Sequence, residues 1–362
     1  MFILTPEAPD GAGGMEHFVR EVIRGLDVRG YRTEVFHRGN SEPAWLAKRR
    51  GRVGKKIADT LLGYSVGRNA QRQMTENVAA VISNSTVGYL PLRFHSSFKR
   101  IHFFHGTYRG QSEAIRPFIS YWGYLYLKWW DSMVLERFSS SNKLIISNSE
   151  QVRDEVSRFF KSNSTVMWYP LDTEVFQPRD RSLGRRSLGL PDEGAIGLFA
   201  GNTQPTKGLP VVESLVRLLP DVFWVLALVG DVPEGLKGRS NVRIVQGLPH
   251  TQMPLLYSAA DFSVCPSLYE SFGYVVAEAL ACGTPVIASP GGASRLFLGE
   301  APMDRLLVAD ANSVEGFLGA VQEVVRAPEF YRRAVIERVR PKLEELMAPE
   351  NWWRRFFALT GL

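Results

Sequence analysis

The amino-acid sequence predicts two doubly wound α/β domains in tandem, on three observations. Short apolar strand candidates alternate with helical or loop segments, the order from which parallel sheets are built. The alternation breaks at a proline- and arginine-rich stretch near residue 166 and then restarts. At 362 residues the chain is long for one core, which favours two domains. No short internal repeat or low-complexity tract competes with this reading.

FILT at 2–5 reads as a short apolar strand and PEAPDGAGG as a glycine-rich loop. MEHFVREVIRGLDVRG then reads as an amphipathic helix, with Phe18, Val22, Ile23 and Leu26 on one stripe and Gly30 as its stop. YRTEVFHR is the next strand. Further strands are expected at AAVISN (79–84), RIHFFHG (100–106) and KLIISNS (143–149), with a long aromatic helix between the last two. VMWYPLDTEVFQPRDRSLGRR reads as an interdomain linker. After it AIGLFAGN, FWVLALVGD, VRIVQG, FSVCPS and PVIAS are five strand candidates, with a helix from about 210 after the first.

Composition narrows the class. With 45% hydrophobic and 22% charged residues this is an ordinary globular chain. The start MFILTPEAPDGAGGMEHF lacks a positive n-region and reaches proline at position 6, against a signal peptide. No apolar run approaches the roughly 20 residues that span a bilayer. Cys265 and Cys282 show no metal-ligand spacing, and a reduced, cytoplasmic setting is expected, with neither disulfide nor zinc.

The net charge of +6 is uneven. Residues 1–170 hold 24 Lys and Arg against 15 Asp and Glu, a net +9, leaving 19 against 22, a net −3, for 171–362. A basic half suits nucleic acid, anionic lipid or a phosphorylated substrate, or is simply a solvated face. No recognisable nucleic-acid module accompanies it, so nucleic acid is not expected as a partner.

In open α/β sheets ligands bind beyond the C-terminal strand ends, so the loops there should carry the chemistry. Four stand out. GAGGME at 11–16 places glycines where a helix begins, which suits an anion or a tight turn. FFHGTYRG at 103–110 ends a strand at His105, either a sugar contact of adjustable pKa or a structural histidine. AGNTQPTKG at 200–208 sets Lys207 and Gly208 before a helix, as a diphosphate clamp or a solvated charge.

The fourth, PSLYESFGYVVAEALACGTPVIAS at 266–289, holds Glu270 and Glu278 eight positions apart. Glu270 falls in the loop after FSVCPS, and Gly273 lets the backbone approach a ligand. Glu278 falls about one and a half turns inside the following helix. The two carboxylates therefore sit in different settings, and similar roles are not expected. One at the sheet's ligand edge can accept ribose hydroxyls while the other reaches a second sugar.

These residues resemble the signature of the retaining glycosyltransferases of family four, whose fold is GT-B, two Rossmann-like domains facing across a cleft. Beyond E-x7-E, GGME is similar to the family's GG-x-E loop and His105-Gly106 to its histidine-glycine element. WYPLDTEVFQP is similar to its linker phrase N-G-V-D-x-x-x-F-x-P, with Tyr169, Pro170 and Leu171 as departures, and GNTQPTKG to its G-R-x4-K-G loop. The resemblance implies an acceptor domain at 1–168, a nucleotide-sugar domain at 169–345 and a C-terminal helix at 346–362 packing on the first domain.

The resemblance also implies the site. Glu278 would bind the ribose hydroxyls, and Glu270 would lie beside the transferred sugar. Lys207 would neutralise the diphosphate with amides around Phe272, Gly273 and Tyr274. Gly13 and Gly14 would approach the donor phosphates, Gly201 and Asn202 would line the donor loop, Leu248 would lie by the base, and His105 would contact the sugar. Asn202 stands where the family has arginine, so one fixed positive charge remains where two are usual. Glu270, His105 and Lys207 are the catalytic candidates. With no D-x-D element and no cofactor implied, a metal-independent reaction is expected.

The donor would be a UDP-sugar, with GDP-mannose second, and the acceptor a glycan or lipid-linked glycan of cell-surface polysaccharide or glycolipid synthesis. WLAKRRGRVGKK at 45–56 is basic and ISYWGYLYLKWWDSMVLERF at 119–138 is aromatic. Together they suit an anionic membrane surface and peripheral attachment, or else a solvated loop and a buried core. A non-catalytic nucleotide-sugar-binding partner and a same-fold epimerase or phosphorylase are the alternatives.

Overall fold

The computed structural model describes residues 1–11, 13–41, 51–88, 98–141 and 143–362, with 51–57 described by backbone alone. The chain divides into two compact units, residues 1–170 with 352–362, and residues 171–351. Each is built around one parallel sheet.

In the first unit the strands are β1 (Phe2–Leu4), β2 (Glu34–Phe36), β3 (Ala80–Asn84), β4 (Lys99–Phe104), β5 (Leu144–Ser147) and β6 (Thr165–Val166), in the order β2-β1-β3-β4-β5-β6. The second holds β7 (Ile196–Asn202), β8 (Phe223–Val229), β9 (Val242–Gln246), β10 (Phe262–Cys265) and β11 (Val286–Ala288), ordered β11-β10-β7-β8-β9. All pairings are parallel, so every strand of a sheet delivers its following loop to the same edge. The order reverses between β1 and β3 in one sheet and between β7 and β10 in the other. Such switch points open a crevice where connections diverge to opposite faces.

The strands read as apolar runs because helices cover both faces: β3 and β10 are buried at every position. In the first unit Phe2, Leu4 and Phe36 pack with Leu62, Val66 and Ala70 of helix Gly51–Arg72. Helix Gly14–Val28 buries the predicted Phe18, Val22 and Leu26, while Ile23 is only half-buried. Helix Pro349–Thr360 contributes Trp352, Trp353 and Phe356 to this core. The Trp352 indole donates to the Trp168 carbonyl at 2.7 Å. Trp353 lies flush on Gly25, where a β-carbon would come 2.2 Å from its ring.

The linker expectation needs correcting at both ends. Its first residue, Val166, completes β6, an edge strand too short to show an alternating pattern. At its far end Arg181–Ser187 is a helix, capped by Asp180, whose carboxylate accepts from the Leu183 amide at 2.7 Å. Two of the arginines there are paired with a buried carboxylate. Arg185, buried, and Arg181 donate to the two oxygens of the buried Asp261 carboxylate at 2.7 Å each, and the Ile196 amide donates to it as well. Truncating Arg185 would leave that carboxylate to Arg181 and the Ile196 amide alone.

Among the described residues no helix is long and apolar enough to cross a membrane.

A polar cluster lies inside the first sheet. Lys143 donates to Ser83 Oγ at 2.8 Å, and Ser83 Oγ lies 2.9 Å from Nδ1 of the buried His102. Burial, with a smaller push from Arg100, lowers Lys143 from 10.5 to about 7. Between those values the unfolded chain binds more protons than the folded one, so this group makes stability rise with pH across that window. Urea unfolding at pH 7 and pH 9.5 should therefore show a gain with pH that shrinks in Lys143→Met. An equal gain in the variant would show that Lys143 is charged and solvated.

Candidate functional site

The loops on either side of the second unit's switch point meet. The one after β7 ends in the turn Pro205–Lys207, and Gly208 follows in left-handed conformation, φ +68°. The other, after β10, passes so close that a β-carbon on residue 208 would lie 1.9 Å from the Pro266 carbonyl oxygen. The Leu268 amide donates to the Thr206 carbonyl at 2.8 Å, which fastens the loops together. Glycine is required at 208 on both counts, conformation and space.

That approach brings Lys207 and Glu270 into contact. Lys207 Nζ donates to Glu270 Oε2 at 2.7 Å, both side chains being partly shielded. The Glu270 carboxylate raises the Lys207 pKa, so the ammonium is fixed at neutral pH. Ser267 Oγ donates to the same carboxylate oxygen at 3.3 Å. Gly273, at φ +88°, then starts helix Tyr274–Ala281 with no side chain capping its first turn. Uncapped first-turn amides at the positive end of a helix favour an anion. The loop is held from behind by Gly292, φ +44°, which lets the Phe272 carbonyl accept from the Ala293 amide at 2.6 Å.

Glu278 occupies the fifth position of that helix and is 4% exposed. The buried Tyr257 donates its hydroxyl to Oε2 at 2.8 Å, and His250 Nε2 donates to Oε1 at 2.9 Å. Burial, then the neighbouring carboxylate, holds the Tyr257 hydroxyl well above its usual 10, so it remains a donor. His250 stays half-exposed, its ring 5.1 Å from that of Phe176. Both Glu278 oxygens are thus engaged, Oε2 with the buried Tyr257 and Oε1 with the half-exposed His250. Leu248, half-buried, lies two residues before His250. Asn202 ends β7, where its side-chain oxygen accepts from the Gln204 amide at 3.2 Å, and Gly201 precedes it.

The first unit's candidates lie on the C-terminal edge of its own sheet. Gly13, exposed and extended, caps helix Gly14–Val28 without a side-chain bond. The glycine admits Glu16: a β-carbon at 13 would meet its carboxylate at 2.1 Å. A negative group therefore already lies where a phosphate was expected, and an anion at Gly13–Gly14 would require Glu16 to turn away. Arg20, which the sequence reading missed, steadies this loop through the carbonyls of Pro9 and Gly11 at 2.5 and 2.6 Å.

His105 follows β4 and differs from expectation. Asn148 Nδ2 donates to the Tyr169 hydroxyl at 3.2 Å, Tyr169 donates to His105 Nδ1, and His105 Nε2 donates to Asn84 Oδ1 at 2.8 Å. Asn84 Nδ2 then donates to the Leu4 carbonyl at 2.9 Å. Burial lowers His105 from 6.5 to about 3, so the ring is neutral and not adjustable near pH 7. Both ring nitrogens are already engaged, and a sugar hydroxyl would have to displace one partner. Tyr169, noted only as a departure from the linker phrase, stacks on Phe18 with ring centroids 4.5 Å apart and orients this histidine.

Comparison with known proteins identifies the family. Residues 12–175 match the family model described as Glycosyltransferase Family 4, and residues 180–340 match that for Glycosyl transferases group 1. The chain belongs to the group 1 and family 4 glycosyltransferases. Over 167 residues it is 33% identical to D-inositol 3-phosphate glycosyltransferase of Mycobacterium tuberculosis, covering 42% of this chain and 35% of that enzyme. The chain thus spans about a third of the length of the curated relatives it matches.

Solved structures agree over essentially the whole chain and establish the fold as GT-B. Sucrose-phosphate synthase from Thermosynechococcus elongatus gives a TM-score of 0.78 at 21% identity, covering 99% of this chain and 98% of that one. WaaG, a glycosyltransferase involved in lipopolysaccharide biosynthesis, gives 0.75 at 14% identity with both chains fully covered. Anabaena HepE in complex with UDP-glucose gives 0.72 at 14% identity, again with full coverage of both.

Within this member of the family, His250 and Tyr257 are two further residues that sequence reading passed over. Each lies more than 20 positions from Glu278, so only the fold reveals the contact. Among the described residues no three His, Cys, Asp or Glu side chains converge as a metal site would require.

Gly208 offers a direct test of the loop approach. Gly208→Ala should cost about 1–3 kcal/mol through positive-φ strain and the collision with Pro266. Urea denaturation would show it as a lower midpoint at unchanged slope. A wild-type midpoint would mean that the loops can separate freely.

Proposed function

We propose that this protein transfers a hexosyl group from a nucleoside-diphosphate sugar, with retention of anomeric configuration, to a glycan or lipid-linked acceptor in cell-surface polysaccharide or glycolipid synthesis. A UDP-sugar is the favoured donor, with GDP-mannose second. The single observation that carries the reading is the Lys207–Glu270 contact beside an uncapped helix N-terminus, at the switch point of a parallel sheet. Family membership supports it, as does HepE, a neighbour of the same fold that was solved with UDP-glucose.

Glycosyl transfer passes through an oxocarbenium-like state while negative charge gathers on the departing diphosphate. Lys207 and the first amides of helix Tyr274–Ala281 supply preplaced positive charge for that diphosphate. As the phosphate draws the ammonium, it competes with Glu270, whose Oε2 is then released toward the transferred sugar's hydroxyls. Glu278, held by Tyr257 and His250, accepts from the ribose through Oε1, beside the half-exposed His250. Among the described residues no second carboxylate is bonded to Glu270, so the proposed retention is met by attack from the face the diphosphate leaves. The leaving phosphate takes the acceptor's proton, and the charges in play call for no metal. His105, neutral and doubly bonded, acts as a positioning group for Asn84 and Tyr169.

Two measurements test the assignment. In donor-turnover assays Lys207→Ala and Glu270→Ala should each lower kcat about a hundredfold. His250→Ala should instead raise the donor KM about tenfold, with recovery in His250→Gln, whose amide can still donate to Glu278. Unchanged turnover in both Lys207→Ala and Glu270→Ala would overturn the catalytic roles, and nucleotide binding without turnover in the wild type would favour a non-catalytic partner. For the base, a thermal-shift series of UDP-, GDP- and ADP-sugars should show the largest rise with a UDP-sugar, because a ligand that binds only the folded state raises its melting temperature. A larger rise with a GDP-sugar would reassign the donor.

A further inference from the structure

The aromatic segment of the first unit is split between core and surface. It runs through the helical stretches Tyr121–Leu125, Tyr126–Glu136 and Arg137–Ser140, the middle one of wider, π-type pitch. Tyr124 and Leu135 are buried, but Tyr121, Trp122, Trp129 and Trp130 are 64%, 76%, 55% and 42% exposed, and Phe118 just ahead of them 52%. The two pairs lie eight residues apart, about two helical turns, and so share one side of the helix. Large exposed rings gathered on one helical segment mark an interaction surface.

The surroundings of the row say what it meets. Arg116 lies over the Tyr124 ring at 5.2 Å, Lys128 over the same ring at 4.8 Å, and Arg109 over Trp129 at 6.0 Å. The helix packs beside helix Gly51–Arg72 through Thr60, which bonds the Tyr126 hydroxyl and the Trp130 indole at 3.0 Å each. The sequence leading to Thr60 is the basic run KRRGRVGKK at 48–56, of which 48–50 lie outside the described residues and the rest have no described side chains. Lys128 and Arg109 both pair with Glu113, at 3.3 and 3.7 Å, so Arg116 is the further cation beside the row, and residues 1–170 carry a net +9, which anionic headgroups complement. Tyrosine and tryptophan are also the rings that settle at the polar boundary of a bilayer.

We propose that Phe118, Tyr121, Trp122, Trp129 and Trp130 form a docking surface for an anionic lipid bilayer, the rings entering the headgroup boundary and the flanking cations meeting lipid phosphate. The attachment is reversible, since amphipathic surface helices lie in the interface plane without spanning it. It is independent of the donor chemistry, and it brings the chain to the boundary where lipid-linked acceptors reside.

The test uses the full chain and phosphatidylcholine vesicles with and without phosphatidylglycerol. Wild type should co-sediment with the anionic vesicles at low salt, less so at high salt, and Trp122→Ser/Trp129→Ser should weaken the binding about tenfold or more. The double variant should keep the wild-type melting temperature and its turnover on a water-soluble acceptor. If the variant does not fold, a blue shift of wild-type tryptophan emission on adding anionic vesicles, quenched by brominated lipid, serves in its place. Failure of wild type to bind anionic vesicles at low salt, or equal binding by the variant, overturns the proposal. So does a wild-type dimer that the double variant converts to monomer, which would assign the row to a second copy. Loss of turnover with vesicle binding intact would count against the transfer reading alone.

Discussion

The Pro266 carbonyl oxygen stands 1.9 Å from where a side chain on residue 208 would begin, and the arrangement of the second unit's ligand edge follows from that. A parallel sheet delivers its loops to one edge but does not make them touch. Contact requires one backbone to give up a side chain, and Gly208 does so in a conformation other residues rarely hold. With the loops in register, a flexible lysine and a glutamate 63 positions apart in sequence become partners.

The two carboxylates show how environment separates residues of one type. Glu270 stays half-buried on a loop and is balanced by a cation, so its charge can be redistributed when another anion competes for Lys207. Glu278 is enclosed in a helix and met by a donor on each oxygen, Tyr257 and His250, so it stays an acceptor of fixed direction. An ion pair with a flexible lysine invites exchange; hydrogen bonds made inside the fold give orientation. The same contrast appears in the first unit, where His105 is fixed by neutral groups and loses the titration expected of an isolated imidazole.

What the sequence made legible was whatever repeats locally. Four strands of the second unit were visible because covered parallel strands are nearly continuous apolar runs, and the edge strand β9 kept enough of that character in VRIVQ to be read as well. Relations across the fold were not visible. Tyr257 reads as one more apolar position of its helix, and Tyr169 as a mere departure from a linker phrase, yet each orients a candidate site residue. The arginines at 181 and 185 were read as linker because their partner, Asp261, lies about 80 positions downstream. Glu16 was taken as part of a glycine motif, and its fold-back onto Gly13 depends on a rotamer that no spacing encodes.

The division of the chain has a further consequence for its biogenesis. Residues 352–362 complete the first unit, filling its core with Trp352, Trp353 and Phe356 against Phe18, Gly25 and Phe103. On the ribosome those rings emerge only after all of residues 171–351 has been made. The unit synthesised first is therefore finished last, and until then its helix Gly14–Val28 presents an uncovered apolar groove at Gly25. A premature stop near residue 350 would leave the second unit nearly intact while exposing the first to chaperones and proteases.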